Sequence, residues 1–99
     1  MHFTFRAALF RWEARRDADW FFVAVPADES EMIREVPRPP SGFGAVRVAV
    51  EVAGVPWRTS VFPDAASGTY HLPIKRAVRE AAGAGEGDEI QVELTVLDA

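Results

Sequence analysis

Only a few residues of this chain could do chemistry. His2 and His71 are its two imidazoles, and there is no cysteine. Ser60, His71 and Asp64 are the residue types of a hydrolytic triad. No spacing forces them together, however, and no Gly-x-Ser-x-Gly elbow exposes Ser60, which is expected simply to alternate on a strand. His71 with Asp64 would begin a metal site but lacks further ligands, and His2 stands at the chain end. HExxH and Walker patterns do not occur. Gly83-Ala84-Gly85-Glu86-Gly87 follows a helical pattern instead of opening one, so it is not a dinucleotide cradle. No metal and no cofactor is expected, and the enzymatic reading is a minor one.

The more informative polar set is Arg58, Thr59, Ser60, Tyr70, Lys75, Arg76 and Arg79. On a helix, Lys75, Arg76 and Arg79 fall within an arc of about 100° opposite an apolar stripe. Such a basic face binds an anion or a phosphate backbone. The alternative is a solvated face with Arg76 and Glu80 paired at i, i+4 spacing. The residues expected to contact an anion are Arg58, Ser60, Tyr70, Lys75 and Arg79. On their strand, Arg58 and Ser60 share one face with Pro56 and Phe62, while Trp57, Thr59 and Val61 share the other. Each face carries an aromatic ring, which leaves the inward side open. Trp12, Trp20, Phe21, Phe22, Trp57 and Tyr70 would make a base-stacking platform if exposed among arginines, although core packing is the commoner fate of such residues. Pro37-Arg38-Pro39-Pro40 has the composition of a polyproline ligand, or of a rigid loop.

The elements that must position these residues begin with the size of the chain. Its 99 residues are 48% hydrophobic, 26% charged and 11% aromatic, which fits one globular domain over residues 1–99. The formal charge is −4 and the acidic excess lies wholly in residues 51–99, which weighs against wholesale binding of nucleic acid or anionic membrane. The longest apolar run spans residues 20–27, far short of the roughly 20 needed to cross a bilayer. Arginines interrupt the N-terminal segment, so no signal peptide is expected, and a cytoplasmic location follows.

Residues 3–10 alternate with Phe3, Phe5, Ala7 and Leu9 on one face, the period of a half-buried strand. Residues 13–19 read as a hairpin connection, and 20–25 as a buried strand ended by Pro26. Residues 28–35 have acids at their start and Met32 and Ile33 to bury, which predicts a short helix. Residues 46–52 place four valines on one face, Ala53-Gly54 is a tight turn, and 55–62 is the return strand. Residues 69–72 form a short strand. From Pro73, placed at the first helical position, Ile74, Ala77, Val78 and Ala81 make one stripe that Gly83 stops, and 90–97 is a final core strand. Strand-proline-helix-loop-strand thus occurs twice, in units of about 20–52 and 68–97. The pattern predicts a mainly β fold: a small split β-barrel of about six strands, with one or two short helices and an internal pseudo-twofold repeat.

The segment Tyr70-His71-Leu72-Pro73-Ile74-Lys75-Arg76-Ala77-Val78-Arg79 with Gly83, then Gly87-Asp88-Glu89-Ile90-Gln91-Val92, resembles the swapped-hairpin barrel unit of AbrB/MazE-type proteins. With Trp20-Phe21-Phe22-Val23-Ala24-Val25-Pro26 and Trp57-Arg58-Thr59-Ser60-Val61-Phe62-Pro63 added, nearly the whole chain resembles the bacterial domain of unknown function 1905. That resemblance implies a small split β-barrel without an established activity, standing alone or fused ahead of a YdeI/OmpD-associated-type domain. A chain ending after its last strand is expected to carry no such fusion. Ala53-Gly54 departs from the commoner Asn-Gly of the family's hairpin turn, which bears on turn stability. A barrel of this family can serve as scaffold alone, since Pro73, Gly83 and Gly87-Asp88 have purely structural uses.

Three functions are consistent with these residues. The first is a non-catalytic domain binding a small anionic ligand or a protein partner. The second, suggested by the AbrB-type resemblance, is a nucleic-acid-binding barrel acting as a dimer. The third is a small hydrolase or isomerase using His71. The oligomeric state is not legible in the residues.

Overall fold

Period-two alternation in the sequence becomes a mainly β architecture. The computed structural model describes residues 1–12, 20–36 and 44–97. The strands are β1 (His2–Ala8), β2 (Phe10–Arg11), β3 (Phe21–Ala24), β4 (Val46–Val52), β5 (Val55–Asp64), β6 (Thr69–Pro73) and β7 (Glu89–Val96). Two short helices, α1 (Ala27–Arg34) and α2 (Arg76–Ala82), follow β3 and β6. The seven strands form one curled half-barrel sheet in the order β1-β7-β4-β5-β6-β3-β2, with every pairing antiparallel. The predicted connection 13–19 and the proline-rich segment containing Pro37-Arg38-Pro39-Pro40 lie outside the described residues.

The seventh strand arises because the first one breaks. The Leu9 N–H donates to the Asp88 carbonyl at 2.9 Å, and the Leu9 carbonyl accepts the Gly87 N–H at 2.8 Å. The turn ahead of β7 therefore takes both backbone groups that a continuous ladder would use. Up to Ala8 the chain pairs with β7, and beyond Leu9 it pairs with β3 through Phe10 opposite Phe22. One stretch thus joins the two outer edges of the sheet. β5 behaves likewise, pairing with β4 up to Val61 and with β6 from Phe62. Exchanging β3 with β6, β4 with β7, and β5 with β1–β2 maps every strand pairing onto a strand pairing.

The core follows the alternation. Val46, Val48, Val50 and Val52 of β4 are buried against Ile90, Val92, Leu94 and Val96 of β7, in one cluster with Leu9, Val23, Val61, Leu72 and Val78. Register settles the β5 face. Trp57, Thr59 and Val61 stand opposite Val50, Val48 and Val46, so they face inward, while Arg58 and Ser60 lie opposite Ala49 and Arg47 on the outer side.

Three helical expectations are corrected. Pro73 ends β6 opposite Phe22 instead of opening α2, which begins at Arg76. The α2 stripe is narrower than the sequence suggests: Ile74 and Val78 are buried and Ala82 packs on the core, whereas Ala77 and Ala81 are exposed. A helix of seven residues lays only one line of side chains on a curved sheet. On α1, Ile33 is buried but Met32 is exposed, and the inward place goes to Ser30, which is 0% exposed. Its hydroxyl donates to the Val25 carbonyl and accepts the Tyr70 N–H, each at 3.0 Å, stitching α1 to β6. Gly83 caps α2 in the left-handed conformation (φ 62°), and the Ala84 N–H returns to the Arg79 carbonyl.

Candidate aromatic and cationic cleft

The junction between β6 and α2 creates the site. The Ile74 N–H donates to the Phe21 carbonyl at 2.9 Å, so the chain entering α2 runs beside the start of β3. Lys75 emerges there with its ammonium 5.7 Å from the centroid of the Trp57 ring on β5. One turn on, the Arg79 guanidinium lies 4.0 Å over the Phe21 ring, and its Nε donates to the Ile74 carbonyl at 3.3 Å. Arg11 approaches the same ring at 5.4 Å. Arg76 pairs with Glu80 at 3.4 Å on the exposed side, as the i, i+4 spacing predicts.

These residues border an open cleft of about 1040 Å³. Its aromatic lining comprises Trp12, Trp20, Phe21, Phe22, Trp57 and Phe62, and its cations are Arg58, Lys75, Arg76 and Arg79. Every basic residue in the acidic second half of the chain lines this one cleft. Among the described lining residues the single carboxylate is Asp64.

Residues 5–94 match the family described as Domain of unknown function (DUF1905). The chain belongs to that family. Among curated proteins, none matched it.

This DUF1905 chain brings together three of the five residues expected to contact an anion. Arg58, Lys75 and Arg79 line the cleft, and Ser60 and Tyr70 do not. Tyr70 points inward from β6 and is 1% exposed, with the Arg34 guanidinium 5.8 Å from its ring on the α1 side. Its side chain belongs to the core, because the residues alternating with it, His71 and Pro73, take the other face of β6. Ser60 stands opposite Arg47 on the outer side of β5.

The aromatic residues divide. Phe21 and Tyr70 are buried, in keeping with core packing, whereas Trp12 and Trp20 are 39% and 49% exposed and Phe62 is 44% exposed. The sequence names Trp12 and Trp20 among the rings of a stacking platform, with core packing as their commoner fate, and does not single out Phe62. Their sequence setting agrees with exposure among cations, since Trp12 and Trp20 flank a charged stretch and Trp57 precedes Arg58.

At the far end of the DUF1905 cleft, His71 Nε2 lies 3.8 Å from Asp64 Oδ2. Phe10 meets the imidazole edge-on at 5.0 Å, and Phe22 is tilted against it at 6.4 Å. The hydroxyl and then the backbone N–H of Ser67 draw the Asp64 carboxyl below its ordinary value of 3.8, with desolvation opposing and His71 adding a smaller pull. The Ser67 backbone N–H donates to Asp64 Oδ2 at 3.0 Å. Ser60 makes no hydrogen bond to His71 or Asp64 among the described residues, so the three triad types do not form a relay. No group of three or more potential metal ligands occurs among the described residues, and none of their helices is long and apolar enough to cross a membrane.

Proposed function

We propose that this DUF1905 chain is a non-catalytic binding domain whose cleft takes a small anionic ligand. The observation that supports it is the charge segregation: in a protein of net charge −4, Arg58, Lys75, Arg76 and Arg79 converge on one concave, ring-lined surface. Apolar clefts with a few convergent charged groups are the usual form of a small-molecule site. Arg58, Lys75 and Arg79 carry this reading, Arg76 joins them, and Ser60 and Tyr70 drop out of the contact set. The cytoplasmic location expected from the sequence is part of the same proposal and is tested by cell fractionation.

The test is a thermal-shift screen of wild type and of Lys75→Glu/Arg76→Glu against anionic metabolites. A ligand that binds only the native state raises the melting temperature by mass action. The reading expects stabilisation of the wild type by at least one anion and its loss in the double variant. Equal shifts in both proteins, or none in either, would overturn it and turn attention to a protein partner.

A second reading, single-stranded nucleic acid bound by a dimer, draws on the stacked and exposed Trp12–Trp20 pair. It requires a dimer in solution and affinity that falls steeply with salt. A monomer or a flat salt dependence would remove it.

A further inference from the structure

Resting on the anion-binding reading above, we infer that the ligand carries a planar aromatic ring beside its anionic group, the chemistry shared by a nucleobase and its phosphate. The rings supply the first part of the argument. Trp12 and Trp20 stack with centroids 5.2 Å apart and planes 22° from parallel. The Trp12 backbone N–H donates to the Trp20 carbonyl at 2.8 Å, which holds the pair on adjacent segments of the chain. Both indoles line the cleft, and both remain substantially exposed. Rings this large normally bury most of their surface. Left wet on a cleft wall, they present apolar faces that a flat ring can cover.

The second part is the distance to charge. Trp20 immediately precedes Phe21, whose carbonyl holds the Ile74 N–H, and Lys75 immediately follows Ile74. Trp20 and Lys75 therefore each adjoin one of the two residues that this hydrogen bond joins, and both line the cleft. The Lys75 ammonium rests over Trp57, and no carboxylate pairs with it among the described residues. Arg58, on the other face of β5, also lines the cleft and likewise lacks a carboxylate partner among them. A phosphate would meet these two cations without displacing an acid. The cleft, at about 1040 Å³, has ample room for a ring, a sugar and a phosphate together.

The test is calorimetric titration of the full chain with AMP, GMP, CMP and UMP, with ribose 5-phosphate and the matching nucleosides as half-ligands. At least one mononucleotide is expected to bind on the order of tenfold more tightly than ribose 5-phosphate, the effect of one stacked base. Trp20→Ala should bring that nucleotide down to the ribose 5-phosphate level without changing the sugar phosphate itself, and Trp20→Phe should restore part of the difference. Lys75→Glu should weaken every phosphorylated ligand. Equal binding of all mononucleotides and ribose 5-phosphate would overturn the ring while leaving the anion reading intact, and so would a nucleotide advantage that survives Trp20→Ala. Failure of every phosphorylated compound to bind would overturn the ring-and-phosphate inference, and the anion screen decides the broader reading separately. A pentadeoxyadenylate separates the two sources of this chemistry. Affinity equal to AMP identifies a free nucleotide, and a large, salt-dependent gain identifies a strand; either result upholds the ring-and-phosphate inference.

Discussion

The Lys75 ammonium sits 5.7 Å from the centroid of the Trp57 ring, joining the entrance of α2 to the inner face of β5 across one wall of the cleft. An ammonium over an indole is attracted by the ring quadrupole, by about 0.5–1 kcal/mol at an exposed site. The contact holds a positive charge at the cleft with which no carboxylate pairs among the described residues. Lys75→Met, which keeps the stem and removes the charge, should lower unfolding stability by an amount of that order and weaken binding of any anionic ligand about tenfold. Urea unfolding and calorimetry on the same variant check both numbers, and a stability loss without an affinity loss would confine Lys75 to a packing role.

Ser30 is the polar side chain on which α1 depends. Its hydroxyl serves the Val25 carbonyl and the Tyr70 N–H inside the core. Ser30→Ala removes the hydroxyl that serves two buried backbone groups, at an expected cost of about 2–3 kcal/mol. Chemical denaturation measures it. A change within experimental error would show that other groups satisfy those two atoms.

The hairpin between β4 and β5 is strained at one residue. Ala53 has φ 53° and Gly54 φ 79°, with Val52 paired to Val55 around a two-residue loop. Left-handed backbone costs a residue with a Cβ roughly 1–2 kcal/mol, and asparagine tolerates it best among non-glycine residues. Ala53→Asn should therefore stabilise the protein by about 0.5–1 kcal/mol, whereas Ala53→Val should destabilise it. Thermal melts of the two variants would move in opposite directions, and movement in the same direction would contradict the turn geometry.

Asp64 gives the protein an acid-dependent contribution. Its carboxyl is depressed in the folded state, chiefly by Ser67, so the folded form binds a proton less readily than the unfolded chain. The resulting stability is fully present above the ordinary carboxyl value of 3.8 and is lost as pH falls through the lower folded value. Wild type should exceed Asp64→Asn in stability by a constant margin at neutral pH, and the margin should shrink below about pH 4. A margin that grows on acidification would reverse the sign and refute the assignment.

Much of the fold was legible because strands with one buried face must alternate. Val46, Val48, Val50 and Val52, and likewise Ile90, Val92, Leu94 and Val96, declare both element and orientation. Gly83 marked the end of α2, and the segregation of basic residues into Arg58, Lys75, Arg76 and Arg79 within an acidic half was countable from residue types alone. Tertiary structure decided the rest. The break at Leu9 depends on Gly87 and Asp88, far away in the chain, so no local pattern announces it. The same holds for Ser30, whose partner Tyr70 lies forty residues on. For Trp57 both faces of β5 carried a ring, and only pairing with Val50 chose between them. Tyr70 and Trp20 illustrate the limit best. Both are aromatic and both lie near strand ends, yet one fills the core and the other stands half-exposed on the wall of the cleft. Hydrophobic burial is set by what the folded sheet brings alongside a ring, and residue type alone does not contain that.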